Sequence, residues 1–133
     1  MGQPAANAAA TVVAVDTHIV MVPTPGGPVP TPLPHPFAGR FSGGLVNTVL
    51  ISGQPAAVLG SVAANQPPHL PMPPGAAFQN PPANTGTVHL GSTGVLIGGQ
   101  PAARNGDPVR TCNDPVEAPV GQIVATVPTV LIG

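Results

Sequence analysis

The sequence predicts a small all-β domain that turns often, and three observations lead to that prediction. Proline (21) and glycine (17) account for 38 of the 133 residues, which leaves little room for helices. Hydrophobic residues make up 42% and charged residues only 5%, whereas disordered chains are usually poor in the former and highly charged. Short apolar runs bounded by glycine recur along the chain, a pattern typical of strands. We therefore expect one ordered domain spanning residues 1–133.

Charge and patterning exclude several classes of protein. The formal net charge is −1 and the only basic side chains are three arginines, Arg40, Arg104 and Arg110, so we expect no nucleic-acid partner. Every apolar stretch ends well before the roughly 20 residues that a membrane-spanning helix needs. The N-terminus lacks a basic segment, so we expect no signal peptide. The single cysteine excludes an internal disulfide.

A ten-residue unit repeats along the chain. Residues 48–57 read TVLISGQPAA and residues 94–103 read GVLIGGQPAA, 46 positions later. The chain ends in TVLIG (129–133) and begins, after the first methionine, with GQPAA (2–6), which together form a third copy split across the termini. Val-Leu-Ile favours a strand and the glycines permit a tight turn, so each unit predicts a β-hairpin.

If the split copy is real, the first and last strands pair and the termini are adjacent. The simplest architecture is then three hairpin units around a pseudo-threefold axis. The alternative is an open repeat array with loose ends. Between the units lie two proline-rich connectors, 23–36 and 67–82, which we expect to be rigid irregular loops, because proline is excluded from central strands. Taken alone, these segments would instead suggest polyproline ligands of SH3-type domains.

Four histidines and one cysteine are candidate metal ligands. His18 and His69 each lie 12 residues after the end of a Pro-Ala-Ala segment, and Cys112 lies 9 residues after the third. Three such side chains at matching places on a threefold scaffold would converge on its axis. His35, held between two prolines, is the preferred fourth ligand, and His89 is the alternative. Three imidazoles and one thiolate would form a closed structural zinc site.

A carboxylate accompanies the first histidine. Asp16 and His18 are two residues apart on an expected strand and therefore lie on one face. We expect Asp16 to orient the imidazole of His18 by accepting a hydrogen bond.

The chain resembles the PAAR-repeat proteins, the tips of contractile injection systems such as type VI secretion and extracellular phage-tail-like particles. The resemblance rests on Pro101-Ala102-Ala103-Arg104, on the Gly106-Asp107 that precedes Cys112, on Asp16-x-His18 and on the three GQPAA units. It implies a small cone of β-structure with one structural zinc ion near its apex, held by His18, His35, His69 and Cys112. Only the copy at 94–103 continues as PAAR, since Asn7 and Val58 follow Pro-Ala-Ala in the other two.

The resemblance also implies a function. One tip caps a trimeric spike of the VgrG type and sharpens it for membrane puncture, with transient contact to the target membrane and effectors as possible cargo. Such a protein is assembled in the bacterial cytoplasm and then delivered outside or into a target cell. The last repeat ends at Gly133, so we expect no fused effector domain. The competing hypotheses are a proline-rich adaptor and a zinc hydrolase; the sequence has no catalytic motif, so we expect no enzyme.

Overall fold

The computed structural model describes residues 2–125 and 129–133, and every regular element in these ranges is a strand. The all-β class predicted from composition is confirmed. These ranges contain no helix that is long and apolar enough to cross a membrane. The strands are β1 (Gln3–Pro4), β2 (Thr11–Val22), β3 (Val29–Gly43), β4 (Val46–Ile51), β5 (Gln54–Ala56), β6 (Val62–Asn65), β7 (Ala77–Phe78), β8 (Thr85–Val88), β9 (Leu96–Ile97), β10 (Gln100–Pro101), β11 (Pro108–Thr111), β12 (Ala118–Val124) and β13 (Leu131–Ile132).

Six of these strands close into a ring. The order is β2, β3, β6, β8, β11 and β12, every neighbouring pair is antiparallel, and β12 pairs back onto β2. Along the chain the ring consists of three antiparallel hairpins, β2–β3, β6–β8 and β11–β12, and the long connection of the second contains β7. Closure satisfies the backbone groups that an open sheet would leave at its two edges.

The core fills the inside of this ring. Side chains alternate between the two faces of a strand, and in β3 Phe37 and Phe41 are buried whereas Ala38 and Arg40 are exposed. Gly39 lies between the two phenylalanines, and a Cβ there would lie 2.1 Å from the carbonyl oxygen of Ala64. Glycine therefore allows β3 and β6 to approach each other closely. The buried aliphatic partners of the two phenylalanines include Val12, Val88, Val109 and Ile123.

The three Val-Leu-Ile segments form short hairpins of the same register. Ile51 pairs with Gln54, Ile97 with Gln100, and Ile132 with Gln3. In the two continuous copies both turn residues have positive φ, at Ser52-Gly53 and Gly98-Gly99, as a two-residue type I′ turn requires. In the third copy Gly133 and Gly2, at the two ends of the chain, stand where the other copies have the turn. Its paired strands, β1 and β13, come from the two ends of the chain.

The Pro-Ala-Ala segments hydrogen-bond to one another in a cycle, in which each donates to one segment and accepts from the other. Alanine suits this position because all six alanine side chains are buried and the three backbones lie within hydrogen-bond distance. The bonds run from Ala6 N to Ala103 O (3.0 Å), from Ala103 N to Ala57 O (3.0 Å) and from Ala57 N to Ala6 O (3.1 Å). We call this cycle the alanine ring.

The expectation of two irregular proline-rich loops was wrong for the first one. Residues 29–36 belong to β3 and pair with β2 along their whole length. Pro30, Pro32, Pro34 and Pro36 occupy every second position and are exposed. A strand accommodates proline where its N–H would point away from the paired strand, and β6 reaches only as far as Gly39. The second connector contains only the two-residue strand β7, which pairs with β2.

Candidate metal centre

Four buried side chains bring potential metal ligands together at one end of the closed sheet. One donor atom from each lies within 4.8 Å of the other three. Strand β2 supplies two neighbours on one face, the long loop after β6 supplies the third, and the residue after β11 supplies the fourth. The site therefore joins all three hairpins of the ring. The residues are Asp16, His18, His69 and Cys112.

The two separations that involve Cys112 Sγ are those of a zinc site, and the third short separation is a hydrogen-bond distance. Zinc bonds of 2.0–2.3 Å in a tetrahedron place neighbouring ligand atoms roughly 3.3–3.8 Å apart. Thiolate, imidazole and carboxylate are also the ligands that zinc takes in proteins. The donor set thus fits the ion. The separations are 3.7 Å between Cys112 Sγ and His18 Nε2, 3.5 Å between Cys112 Sγ and Asp16 Oδ2, and 3.0 Å between His69 Nε2 and Asp16 Oδ2.

His35 lies beside this group. Its ring is buried, with its centroid 5.4 Å from that of His18 and 5.5 Å from that of His69. A carbonyl oxygen can only accept, so His35 Nδ1 donates the hydrogen bond of 3.0 Å to Leu33 O, and Nε2 is the nitrogen that a metal would bind. The alternative, His89, is exposed and lies outside the group. The assignment of the fourth ligand stays a prediction.

Asp16 does not orient His18 as the sequence suggested. Its Oδ2 contacts His69 and Cys112, and its Oδ1 accepts a hydrogen bond from the hydroxyl of Thr111. Asp16 is therefore part of the ligand group itself. The carboxylate close to His18 belongs instead to Asp114, whose Oδ2 lies 3.5 Å from His18 Nδ1. Sequence reasoning missed Asp114 because only the folded chain brings residues 18 and 114 together.

A network of amides fixes the protonation of His69. Asn65 Oδ1 accepts a hydrogen bond from Ala38 N, so its amide nitrogen faces Asn84 Oδ1 and His69 Nδ1, both at 3.2 Å. Because His69 Nδ1 accepts from Asn65, the proton of this ring is on Nε2, where it is donated to Asp16. A metal that takes this nitrogen displaces that proton.

Burial disfavours charge on two members of the group. It lowers the pKa of His18, and His69 acts in the same direction, while Asp114 opposes them. Burial also raises the pKa of the Cys112 thiol to about 11, and the nearby Asp16 adds to the effect. Without a cation the site therefore favours neutral imidazole and thiol. A divalent metal reverses the preference at sulfur, because it binds the thiolate.

A second candidate site is an apolar surface made by the Val-Leu-Ile hairpins. The three isoleucines point inward and pack with Ala5, Ala56 and Ala102. The preceding leucines are 60%, 63% and 59% exposed, and the valines before them are 37%, 36% and 37% exposed. The near-identical values show that the three copies present the same apolar pair to solvent. We call these six residues the Val-Leu surface; they are Val49, Leu50, Val95, Leu96, Val130 and Leu131.

Comparison with known proteins gives one match. Residues 79–133 match the PAAR motif family. The matched segment contains the Val-Leu-Ile unit at 94–103 and Cys112, together with the last strand, β13. No curated protein and no solved structure matches the chain.

Proposed function

The match of residues 79–133 to the PAAR motif family is the premise from which we propose that this chain is the structural tip of a contractile injection system. In this role one copy caps the end of a trimeric spike of the VgrG or phage-baseplate type. The protein is assembled in the bacterial cytoplasm, travels with the spike and makes brief contact with the target membrane. Effectors are its possible cargo. The role is mechanical and includes no catalytic step.

The Val-Leu surface is the observation that carries this proposal. A single chain presents the same apolar pair three times with almost equal exposure. A trimer offers three equivalent sites around its axis, and three matched patches let one chain occupy all of them at once. The alanine ring supports such an arrangement, because it links the three units by equivalent backbone hydrogen bonds.

The chemistry of the Val-Leu surface indicates what the spike must present. The sequence has no charged residue from 41 to 103 or from 118 to 133, a region that includes all six members. The complementary face of the spike is therefore expected to be apolar, like the desolvated core of a stable interface. Few charges are available to steer docking, so the affinity should depend only weakly on salt.

We also propose that one structural zinc ion stabilises the folded tip. His18, His69 and Cys112 would bind it, with His35 or Asp16 as the fourth ligand. The ion would supply a positive charge that keeps the sulfur as thiolate. Since these residues come from all three hairpins, its binding free energy would add to the free energy of unfolding. That contribution matters in a domain whose only aromatic residues besides histidine are three phenylalanines.

The proposal is tested by the stoichiometry and affinity of the complex with the spike trimer from the same system. Native mass spectrometry should find one tip per trimer. Replacing Leu50, Leu96 and Leu131 together by serine should weaken binding at least 100-fold and change the melting temperature little. The matched control replaces three exposed valines of the ring strands β2 and β12, Val13, Val15 and Val120, by serine and should bind normally. Three tips per trimer, or equal losses in both triple variants, would contradict the proposal.

A further inference from the structure

Beside His18, the side chains of two loop residues bond to a part of the edge of β2 that no strand in the described ranges covers. Along one edge of β2, β12 pairs with residues 11–13 and β7 pairs with residues 20 and 21. No strand in the described ranges pairs with the stretch between them on this edge. Asn113 and Asp114, just after Cys112, fill the gap: Asn113 Oδ1 accepts from Thr17 N at 2.7 Å, and Asp114 Oδ2 accepts from Ile19 N at 2.9 Å. The backbone on both sides of His18 is thereby fixed.

The imidazole of His18 has one nitrogen for each of two neighbours. Its Nε2 faces Cys112 Sγ at 3.7 Å, inside the ligand group. Its Nδ1 is buried and makes no hydrogen bond with any residue in the described ranges. The polar atom aimed at it is Asp114 Oδ2, at 3.5 Å, and this oxygen is already held in place by Ile19 N.

We propose that Asp114 is a positioning residue for the metal centre. Its carboxylate keeps the single proton of neutral His18 on Nδ1, so that the lone pair of Nε2 points toward Cys112 and the metal. A proton on Nε2 would face the sulfur and block coordination, and Nδ1 would then turn a lone pair toward a carboxylate. A carboxylate behind a ligating histidine generally fixes its tautomer and raises its basicity. Cys112 and Asp114 thus act from one turn on the two sides of the same ring.

The tautomer can be measured in the wild-type protein without any mutation. Nitrogen-15 NMR of the histidine rings distinguishes a protonated nitrogen from one with a free or metal-bound lone pair. We expect the His18 proton on Nδ1 in the metal-free protein at pH 8 and, after addition of zinc, an unchanged Nδ1–H with a metal-bound Nε2. A proton on Nε2, zinc on Nδ1, or no zinc uptake would overturn the proposal.

Variants separate this role from simple clamping of the strand. Asp114→Ala should lower zinc affinity about 10–100-fold, the usual effect of losing such a partner, and should redistribute the His18 proton between the two nitrogens. Asp114→Asn keeps an acceptor for Ile19 N but loses the charge, and should fall between alanine and wild type. Asn113→Ala removes the other backbone clamp without touching His18 Nδ1. It also removes the contact of 3.4 Å between Asn113 Nδ2 and Asp16 Oδ1, so the His18 tautomer decides between the two roles and the affinity alone does not. Equal losses of affinity in Asn113→Ala and Asp114→Ala, with an unchanged tautomer, would show that Asp114 is only a clamp. None of these measurements involves the spike, so they stand or fall separately from the proposed docking function.

Discussion

Two adjacent residues of the last strand allow the fold and the proposed docking function to be perturbed separately. Ile132 is 6% exposed and packs with the alanines of the repeat units, whereas Leu131 is 59% exposed. Truncating a buried isoleucine to alanine costs about 2–5 kcal/mol, and the shortness of β13 places Ile132→Ala near the lower end, about 2–3 kcal/mol. Leu131→Ala should stay within about 0.5 kcal/mol, as expected at an exposed position. For a domain of this size each kcal/mol shifts the melting temperature by roughly 3–5 °C.

The assay is thermal unfolding of zinc-loaded protein, followed by binding to the spike trimer. Ile132→Ala should lower the melting temperature by roughly 6–15 °C, and Leu131→Ala by about 2 °C or less. The matched pair Ile51→Ala and Leu50→Ala, in the repeat unit at 48–57, should give the same two values. Binding should reverse the order, with the leucine variants weaker than the isoleucine variants. If Leu131→Ala were as destabilising as Ile132→Ala, the assignment of an inward isoleucine and an outward leucine would be refuted.

Four further predictions follow from the site and the strands. The purified protein should contain about one zinc ion per chain by elemental analysis, and Cys112→Ser should lose most of it while a Ser61→Ala control keeps it. Metal-free protein should be most stable between about pH 7 and 9 in denaturant titrations. The pKa of His18 is lowered from 6.5 in the folded protein, so its contribution to the free energy of unfolding is lost as the pH falls below that value. The pKa of Cys112 is raised from 9.0 to about 11, so its contribution to the free energy of unfolding is lost as the pH rises across that interval. Deleting residues 129–133 removes the partner of β1 and should abolish cooperative unfolding. As a control, removal of residues 25–27 at the β2–β3 turn should leave a cooperative transition. A five-residue deletion that melts like wild type would favour an open repeat array. Replacing Pro32 and Pro34 by valine restores two N–H donors on the free side of β3 and should cause self-association in analytical ultracentrifugation, which Val15→Thr on the neighbouring strand should not.

The sequence was sufficient to predict the fold class, because glycine and proline exclude helices by a local mechanism that tertiary contacts do not override. The repeat was also recognisable from the sequence, because every unit has Val-Leu-Ile before the turn and Gln-Pro-Ala-Ala after it. The strand at residues 29–36 was misread for a different reason. Whether proline is tolerated depends on which side of the strand its missing N–H faces, and that requires the pairing with β2.

Prediction of the candidate metal centre was limited by distance along the chain. His18, His69 and Cys112 stood out because of their places in the repeat. Asp16 was noticed but given the wrong neighbour, since strand alternation shows which face a carboxylate shares and not which ring it contacts. Nothing in the sequence pattern indicated a role for Asp114 at this site, because only the path of the connection between β11 and β12 brings it close to His18.

The nearly equal exposure of the three Val-Leu pairs has a consequence for how a docked tip is oriented. If the six residues carry the binding and are related by a threefold axis, rotation of the tip by a third of a turn gives a complex of almost the same free energy. The choice among three orientations then favours binding by about 0.6 kcal/mol of entropy. Only one unit differs near its Pro-Ala-Ala segment by charge, through the Arg104–Asp107 ion pair, where the others have Asn7 and Val58. Unless the spike contacts that ion pair and so selects one orientation, the docked tips in a population of particles will be divided among three orientations about the spike axis. Averaging images with threefold symmetry would then blur the residues that differ between the three units, and any cargo attached to one face of the tip would leave the particle in three directions.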